Sequence, residues 1–204
     1  MLDHLSYSSI SAYLACPAAW RLKYLEKVPT GTTEDLIFGS AFHGTIEEFI
    51  KNGHQGDLLT TWQQQWNKQL EANKDVAWQD GQETMCNQGV RMFSNEDIQR
   101  GILSIKVKSP EHVEKRVELC VPGVPVPVVG YIDVITADGI PGDFKTSART
   151  WTVDKALNET QPLFYLAALN QIGVREVNLR FRHYVFVKTK TPQFQVIEHS
   201  HTMS

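Results

Sequence analysis

The sequence predicts an α/β fold, and three observations favour it. In the first half of the chain, residues 38–50 and 57–74 repeat apolar side chains at helical spacing. Residues 112–146 instead alternate apolar and polar side chains between turn dipeptides, which is typical of consecutive strands. A later helical segment, 163–172, is followed by further stretches in which apolar and polar residues alternate. Helices and strands therefore occur together along the chain.

Length, composition and charge describe an ordinary globular protein. The chain has 204 residues, of which 42% are hydrophobic, and we expect residues 1–204 to form one domain around one core. Lys and Arg number 20 against 23 Asp and Glu, which gives a net charge of −3. This balance excludes the overall basic character of many nucleic-acid binders, so any such binding must come from a local patch.

The cysteines and the N-terminus indicate the cellular compartment. Cys16, Cys86 and Cys120 are odd in number and widely spaced, which argues against a disulfide framework and against a zinc site. The first residues lack the basic and apolar regions of a signal peptide, and no apolar run is long enough for a membrane helix. We expect a soluble, cytoplasmic protein with no membrane partner.

The N-terminal segment predicts a short helix. Serines near Leu5 offer helix caps, and Ile10 and Tyr13 follow at helical spacing. The helix should stop at Cys16-Pro17. We expect most of the aromatic residues that follow, such as Trp20 and Tyr24, to lie in the core.

Three further helices are predicted before the strands. In residues 38–50, His43 and Glu47 are four apart and share a face, among small residues that permit close approach. A single histidine on a helix is more often a core or surface residue than a ligand, so both interpretations stay open. Residues 57–74 form an amphipathic helix without evident chemistry, and residues 82–106 predict another long helix.

The stretch Gly130–Thr146 predicts a hairpin that carries chemistry. Two strands are joined at the turn dipeptide Asp138-Gly139. Asp143 and Lys145 are two apart and leave one face of the second strand, and the hairpin can bring Asp133 beside them. Two carboxylates suit a divalent cation such as Mg²⁺, and a lysine can steer or deprotonate a water beside it. The alternative interpretation is a solvated ion pair.

After the hairpin the pattern predicts one helix and two strands. Capping residues precede Pro162, and Leu163–Ile172 is helical before Gly173 ends it. Gln161 and Tyr165 are four apart and share a face of this helix. The segments 177–188 and 193–197 then alternate as strands.

Five short motifs occur in a fixed order over residues 6–165. They are S-x-S-x-I-x-x-Y-x-x-C-P from Ser6 with a following Tyr24, G-x-x-x-H-x-x-x-E (Gly39, His43, Glu47), G-Y-I-D (Gly130 to Asp133), D-F-K-T (Asp143 to Thr146) and Q-x-x-x-Y (Gln161, Tyr165). Each motif is weak alone. In this order they resemble the RecB-like branch of the PD-(D/E)XK nuclease superfamily.

The resemblance implies a fold and a set of roles. The fold would be a mixed central β-sheet flanked by helices, a restriction-endonuclease-like core with an N-terminal helical part. Lys145 would attend the nucleophilic water, and Gln161 and Tyr165 would support the site or the DNA. The ligands of Mg²⁺ or Mn²⁺ would be His43, Asp133, Asp143 and the main-chain carbonyl of Phe144.

The chain departs from the iron-sulfur members of that branch. Cys16 lies where their first cysteine would be, but no cysteine follows Cys120, so four thiolates cannot be assembled. We therefore expect no iron-sulfur cluster and a buried, apolar role for Cys16. The sequence also lacks the Gly-rich Lys-Ser/Thr phosphate loop of a helicase. These features imply a stand-alone nuclease, or one that works with a separate recombination or helicase partner.

The resemblance favours a Mg²⁺-dependent exonuclease that acts on DNA ends, single- or double-stranded. Such an enzyme suits recombination, repair or DNA processing in a phage or bacterium. Two alternatives stay open: a structure-selective or RNA-directed nuclease of the same fold, and a metal-free relative that only binds nucleic acid. The intact Asp133, Asp143 and Lys145 argue against the metal-free relative. Candidate phosphate contacts are basic residues of the C-terminal third, namely Arg149, Lys155, Arg180, Arg182, Lys188 and Lys190.

Overall fold

The computed structural model describes residues 2–174 and 179–201. Their helices are α1 (Tyr7–Ala15), α2 (Pro17–Trp20), α3 (Glu34–Lys51), α4 (Leu58–Ala72), α5 (Gln82–Phe93), α6 (Glu96–Ser104), α7 (Val153–Leu157) and α8 (Gln161–Gln171). A π-helical turn, Arg21–Leu25, follows α2, and a 3₁₀ turn, Pro110–His112, precedes the second strand. The strands are β1 (Leu5–Ser6), β2 (Val113–Leu119), β3 (Val128–Ile135), β4 (Pro141–Ser147), β5 (Arg180–Val187) and β6 (Gln193–Ser200).

The strands of the described residues form one mixed sheet. The order is β1-β3-β4-β5-β6, and β2 also pairs with β3. The pairs β1–β3 and β4–β5 are parallel, whereas β2–β3, β3–β4 and β5–β6 are antiparallel. The consecutive strands predicted over residues 112–146 are therefore confirmed as β2, β3 and β4, and so is the α/β class with a mixed sheet flanked by helices.

Strand β3 has one edge that is only partly paired. β2 occupies one edge of β3 from Val128 to Val134. β1 pairs with Val128 and Val129, and β4 pairs with Val134 and Ile135, so these two strands must share the opposite edge at its two ends. In the described residues, the stretch 130–133 of that edge has no strand partner. This gap determines where the candidate site forms.

Helices cover both faces of the sheet. On one face α3, α4, α5 and α6 bury a large aromatic core against strand residues such as Phe144 and Phe186. On the other face α8 packs its Tyr165, Leu166 and Leu169 against a second cluster of strand residues. Burial of these apolar side chains is the main favourable term in folding. The helix α3 and the helix α8 consequently lie on opposite sides of the gap in β3.

Helix caps explain where the predicted helices start. The side chain of Thr33 accepts the main-chain N–H of Leu36 at the start of α3, with an N–O distance of 3.3 Å. Asp57 accepts the N–H of Thr60 at 2.8 Å and begins α4. Such caps satisfy main-chain donors that the first helical turn leaves free. The helices predicted at 38–50, 57–74 and 163–172 are confirmed within a few residues at each end.

The prediction of one long helix over residues 82–106 was wrong. The structure has two helices, α5 and α6, separated at Ser94 and Asn95. The Asn95 side chain accepts the N–H groups of Asp97 and Ile98 and so caps a new helix. The signal was present in the sequence, because an asparagine followed by acidic residues is typical of a helix start.

The N-terminal helix is confirmed, but the predicted burial around it was wrong. Ser6 caps α1, and the chain breaks at Cys16-Pro17 as expected. Cys16 is exposed, however, and Trp20 and Tyr24 are only partly buried. The reason is local packing: the Trp20 ring lies against Tyr13 and Tyr24, with ring-centre distances of 5.3 and 5.9 Å. This segment packs mainly on itself and leaves its apolar residues outside the main core.

Two further observations complete the fold. The predicted strand 177–188 is confirmed from Arg180 onward, and residues 177–178 lie outside the described part of the chain. The last strand extends beyond the predicted 193–197 to Ser200.

Among the helices that the structure describes, none combines the length and the apolar character that crossing a membrane requires.

Candidate active site

The candidate site lies where β3 and β4 separate. Their ladder stops at the Val134–Gly142 pair. One residue earlier on β3, the Asp133 carboxylate accepts the main-chain N–H of Phe144 at 2.6 Å. A side chain thus replaces a strand-to-strand hydrogen bond, and the polar group that would otherwise lack a partner is satisfied. The arrangement fixes Asp133 beside the second strand.

Asp143 and Lys145 form a partly buried ion pair on β4. The Lys145 Nζ lies 2.7 Å from the Asp143 Oδ2, and the Asp143 side chain is only 4% exposed. The pair confirms that the two residues leave the same face of the strand. A charged hydrogen bond removed from water has a well-defined geometry, which makes it suitable for holding a reactive ammonium group in place.

Helix α8 supports Lys145 through a chain of hydrogen bonds. The Lys145 Nζ donates to the Gln161 Oε1 at 3.0 Å, and the Gln161 Nε2 donates to the Tyr165 hydroxyl at 2.8 Å. The Tyr165 hydroxyl then donates to the main-chain carbonyl of Tyr131 at 2.6 Å. That carbonyl belongs to the unpaired edge of β3. The Q-x-x-x-Y motif therefore connects the lysine to the gap in the sheet.

Helix α3 brings two more potential metal ligands, His43 and Glu47, close to Asp133. One ligand atom each from His43, Glu47 and Asp133 lies within 4.8 Å of the others. The His43 Nδ1 and the Asp133 Oδ2 are 3.9 Å apart. One imidazole nitrogen and two carboxylates at this spacing fit a divalent cation that accepts oxygen and nitrogen ligands. These three residues can hold a metal ion.

Burial shifts the pKa values of both helix residues, His43 and Glu47. Burial, with a contribution from the Lys145 ammonium, lowers the pKa of His43 to about 4, so its imidazole is neutral at pH 7. Burial and the nearby Glu114 carboxylate raise the pKa of Glu47 to about 7. A neutral imidazole is the form that binds metal, and a carboxylate destabilised by burial is stabilised when a cation neutralises it.

Burial and neighbouring charges also shift the pKa values of the strand residues Asp133, Asp143 and Lys145. Burial and the neighbouring Asp143 raise the pKa of Asp133 well above its ordinary value. Burial also raises the pKa of Asp143, although Lys145 opposes this shift. Burial by itself would lower the pKa of Lys145, but the attraction of Asp143 outweighs it and the pKa is raised. Lys145 is therefore a charged ammonium at neutral pH, beside carboxylates that lack full compensation.

The structure brings the predicted site residues together with two differences in detail. His43 and Asp133 share the ligand cluster, and Gln161 and Tyr165 hold Lys145. The Asp143 carboxylate lies against Lys145 and outside the 4.8 Å group. Phe144 contributes its N–H to Asp133, whereas ligation by its carbonyl stays a prediction.

Glu47 enters the cluster, although the sequence reasoning did not name it as a ligand. The signal was its position four residues after His43. That spacing places both side chains on one face of α3.

Two openings flank the site and differ in charge. The first, here named the acidic cleft, has a volume of about 600 Å³ and contains His43, Glu47, Glu48 and Glu114 together with two lysines. The second, named the N-terminal groove, has a volume of about 350 Å³. It is bordered by His4, Ser6, Tyr7, Ser8, Arg116, Val129, Gly130, Tyr131, Gln161 and Tyr165. Each opening shares residues with the candidate site: His43 and Glu47 border the acidic cleft, and Gln161 and Tyr165 border the N-terminal groove.

Two of the basic residues predicted as phosphate contacts form ion pairs within the protein instead. Arg182 donates to Asp138 at 2.7 Å and to Glu198 at 2.8 Å. Lys188 pairs with Asp35 at the start of α3. These contacts tie β5 to its neighbours and to the helical layer. The structure therefore gives these two side chains a role in the fold.

Comparisons with known proteins agree with this geometry. A crystal structure from Eubacterium rectale, described as a "Putative exonuclease", superposes with a TM-score of 0.67 at 13% sequence identity, covering 97% of this chain and 73% of that chain. At this identity the likeness concerns the fold. No curated protein sequence matches the chain. A family model of the PD-(D/E)XK nuclease superfamily matches residues 4–201. The chain therefore belongs to the PD-(D/E)XK nuclease superfamily.

Proposed function

We propose that the protein is a Mg²⁺- or Mn²⁺-dependent nuclease that hydrolyses phosphodiester bonds in DNA, acting as an exonuclease at DNA ends. One observation carries the proposal: the Asp143–Lys145 pair lies beside a cluster of His43, Glu47 and Asp133 that can hold a cation. The superfamily supports nuclease chemistry, and the fold neighbour described as an exonuclease agrees with action at ends.

The metal would be held by His43, Glu47 and Asp133, with Asp143 able to join them from the adjacent strand. A divalent cation bound there would neutralise the phosphate, lower the pKa of a bound water and stabilise the leaving oxygen. Its charge would also offset the repulsion between Asp133 and Asp143, which Lys145 compensates only in part. The donor set therefore matches the chemistry that phosphodiester hydrolysis requires.

Lys145 acts as a fixed positive charge in this proposal. Its raised pKa keeps it protonated, so it donates hydrogen bonds to the attacking water or to the phosphate oxygens and does not accept a proton. Gln161 and Tyr165 keep its Nζ directed toward the carboxylates. Because these groups are oriented before substrate arrives, little reorganisation is needed during the reaction.

Charge supports action at DNA ends. The chain carries a net charge of −3, so long-range attraction to duplex DNA is weak. Arg182 and Lys188 are also engaged in internal pairs, which removes them from a broad duplex-binding surface. Binding must therefore depend on local contacts near Asp133 and Asp143, and a free end can reach this position more easily than continuous duplex.

Incubation of linear and covalently closed circular duplex with the protein and Mg²⁺ tests the proposal. We expect progressive loss of the linear form and survival of the circle, and salt should slow the reaction steeply. Equal loss of both forms would contradict exonuclease action and favour an endonuclease. Preferential cleavage of an RNA substrate of the same sequence would contradict the DNA assignment.

A further inference from the structure

The N-terminal groove is placed to receive substrate. Two of its residues, Gln161 and Tyr165, belong to the hydrogen-bond chain that holds Lys145. The groove follows the unpaired edge of β3 at Gly130 and Tyr131, and its opposite wall is the start of α1. A polymer that lies in this groove therefore passes beside the residues that hold Lys145.

The groove wall is built from groups that bind nucleotides. The Tyr131 side chain is 50% exposed and can offer a ring face to a base. Arg116 lies directly opposite Tyr131 in the β2–β3 register and is also exposed, with Glu118 as its ion-pair partner at 2.5 Å. Ser6 and Ser8 supply hydroxyls. Among the described residues that border the groove there is no carboxylate.

The acidic cleft on the other side is less suitable for a polyanion. Glu47, Glu48 and Glu114 border it, against Lys51 and Lys68. A phosphate chain that entered this way would meet uncompensated negative charge before a metal ion is bound. Electrostatics therefore favours the N-terminal groove for the part of the strand that extends beyond the scissile bond.

A second cavity continues the path away from the site. It has a volume of about 310 Å³ and shares His4 and Ser6 with the N-terminal groove. Tyr24 and Lys27 form part of its wall together with Asp3, so this cavity offers an aromatic ring and a cation beside one carboxylate. Because they share His4 and Ser6 the cavities adjoin, and we take the N-terminal groove and this cavity together as the path of the strand.

We infer that this path binds an unpaired DNA strand, with a base stacked on Tyr131 and a phosphate held by Arg116; the inference rests on the proposed nuclease function. A ring can stack on a base only when the base is not already stacked and paired in a duplex. Tight duplex binding would also need many phosphate contacts, and the groove offers a single arginine. The substrate class is therefore DNA with a single-stranded end.

Binding of a fluorescein-labelled oligothymidylate in Ca²⁺, measured by fluorescence anisotropy, tests this path without requiring cleavage. Tyr131→Ala should weaken binding about tenfold, because one stacking contact is lost, whereas Tyr131→Phe should bind like the original chain. Arg116→Ala should lower the slope of log Kd against log salt by about 0.7, as expected for one phosphate contact on a single strand.

Two exposed residues outside the path give matched controls. The Tyr13 side chain is 50% exposed, like Tyr131, and Arg100 is an exposed arginine on α6. Tyr13→Ala and Arg100→Ala should leave the affinity unchanged, and all variants should melt within a few degrees of one another.

Unchanged binding in Tyr131→Ala and Arg116→Ala would overturn the inference, and so would tighter binding of blunt duplex. A change of oligomeric state in these variants, seen by sedimentation, would assign the groove to self-association instead. Because binding is measured without turnover, an inactive protein that binds the oligonucleotide through these residues would contradict the proposed function and leave this inference standing.

Discussion

The Asp133 carboxylate accepts the main-chain N–H of Phe144 at 2.6 Å, just beyond the last paired residues of β3 and β4. This contact marks the point at which the two strands separate. On one side of the separation α3 contributes His43, and on the other side α8 contributes Gln161. The proposed metal ligand Asp133 is therefore also a structural link between the two strands.

Lys145 should be required for hydrolysis and dispensable for metal binding. Lys145→Met removes the charge but keeps most of the side-chain volume, and the rate on linear DNA should fall by about 10²- to 10³-fold. Metal affinity, followed by the rise in melting temperature with Mn²⁺, should be retained because Lys145 lies outside the ligand cluster. Lys108→Met, at an exposed loop lysine, should keep full activity. A near-normal rate in Lys145→Met would remove this residue from the mechanism.

Metal affinity should rise with pH between about 6 and 8. The pKa of Glu47 is raised to about 7, so below that pH a proton must leave before the carboxylate can bind a cation. His43 does not add to this dependence, because its pKa is lowered to about 4. Isothermal titration with Mn²⁺ at several pH values should show this rise, and Glu47→Gln should flatten it and weaken binding. A pH-independent affinity would contradict the role of Glu47.

The raised pKa of Glu47 also predicts how the stability of the metal-free protein changes with pH. Folded Glu47 holds its proton more tightly than the unfolded chain does, so its contribution to the free energy of unfolding is present at low pH and is lost as pH rises through about 7. In EDTA the melting temperature relative to that of Glu47→Gln should therefore fall between about pH 4.5 and 7 and change little above that. A curve that is identical in the variant would show that other groups cause the fall.

The buried His183 should make the protein sensitive to acid. Burial, with the neighbouring His199, lowers the pKa of His183 to about 3, whereas an unfolded histidine titrates near pH 6.5. Its contribution to stability is present above pH 6.5 and is lost as pH falls toward 3. His183→Leu should therefore show a shallower loss of unfolding free energy between pH 6.5 and 4. Denaturant unfolding at each pH measures this, and parallel curves would contradict it.

Gly130 should be required for close packing of α8 against β3. A β-carbon at this position would lie 2.5 Å from the Phe164 ring and 3.0 Å from the Tyr165 ring. Gly130→Ala should therefore lower the free energy of unfolding by about 1–3 kcal/mol. It should also reduce activity, because Tyr165 holds Gln161. Gly31→Ala, where nothing lies within 4 Å, is the control and should leave both quantities unchanged.

Local patterns predict much of this site because its chemistry depends on short spacings. The separation of two between Asp143 and Lys145 and of four between Gln161 and Tyr165 fixes shared faces on a strand and a helix, and both are observed. The Glu47 contribution depends on how α3 lies across the sheet. That orientation results from the packing of aromatic side chains far apart in the sequence.

The partly unpaired edge of β3 could not be predicted from the sequence either. The two-residue strand β1 is too short to show a period, and its pairing with Val128 and Val129 is set by tertiary contacts. The burial of Trp20 was predicted from its residue type, and the structure shows it partly exposed because its neighbours pack on one another. Residue type indicates a tendency to be buried, whereas the fold decides which surface is available.

The initial rate of nucleotide release from linear DNA, compared between the original chain and Asp133→Asn in Mg²⁺ and in excess EDTA, tests the central claim most directly. The asparagine oxygen can still accept the Phe144 N–H, so the fold should persist while the charge that holds the cation is lost. We expect hydrolysis by the original chain in Mg²⁺ and none in EDTA, and a fall of at least about a thousandfold in Asp133→Asn. Equal rates in EDTA, or near-normal hydrolysis by a folded Asp133→Asn, would contradict a metal-dependent nuclease centred on Asp133.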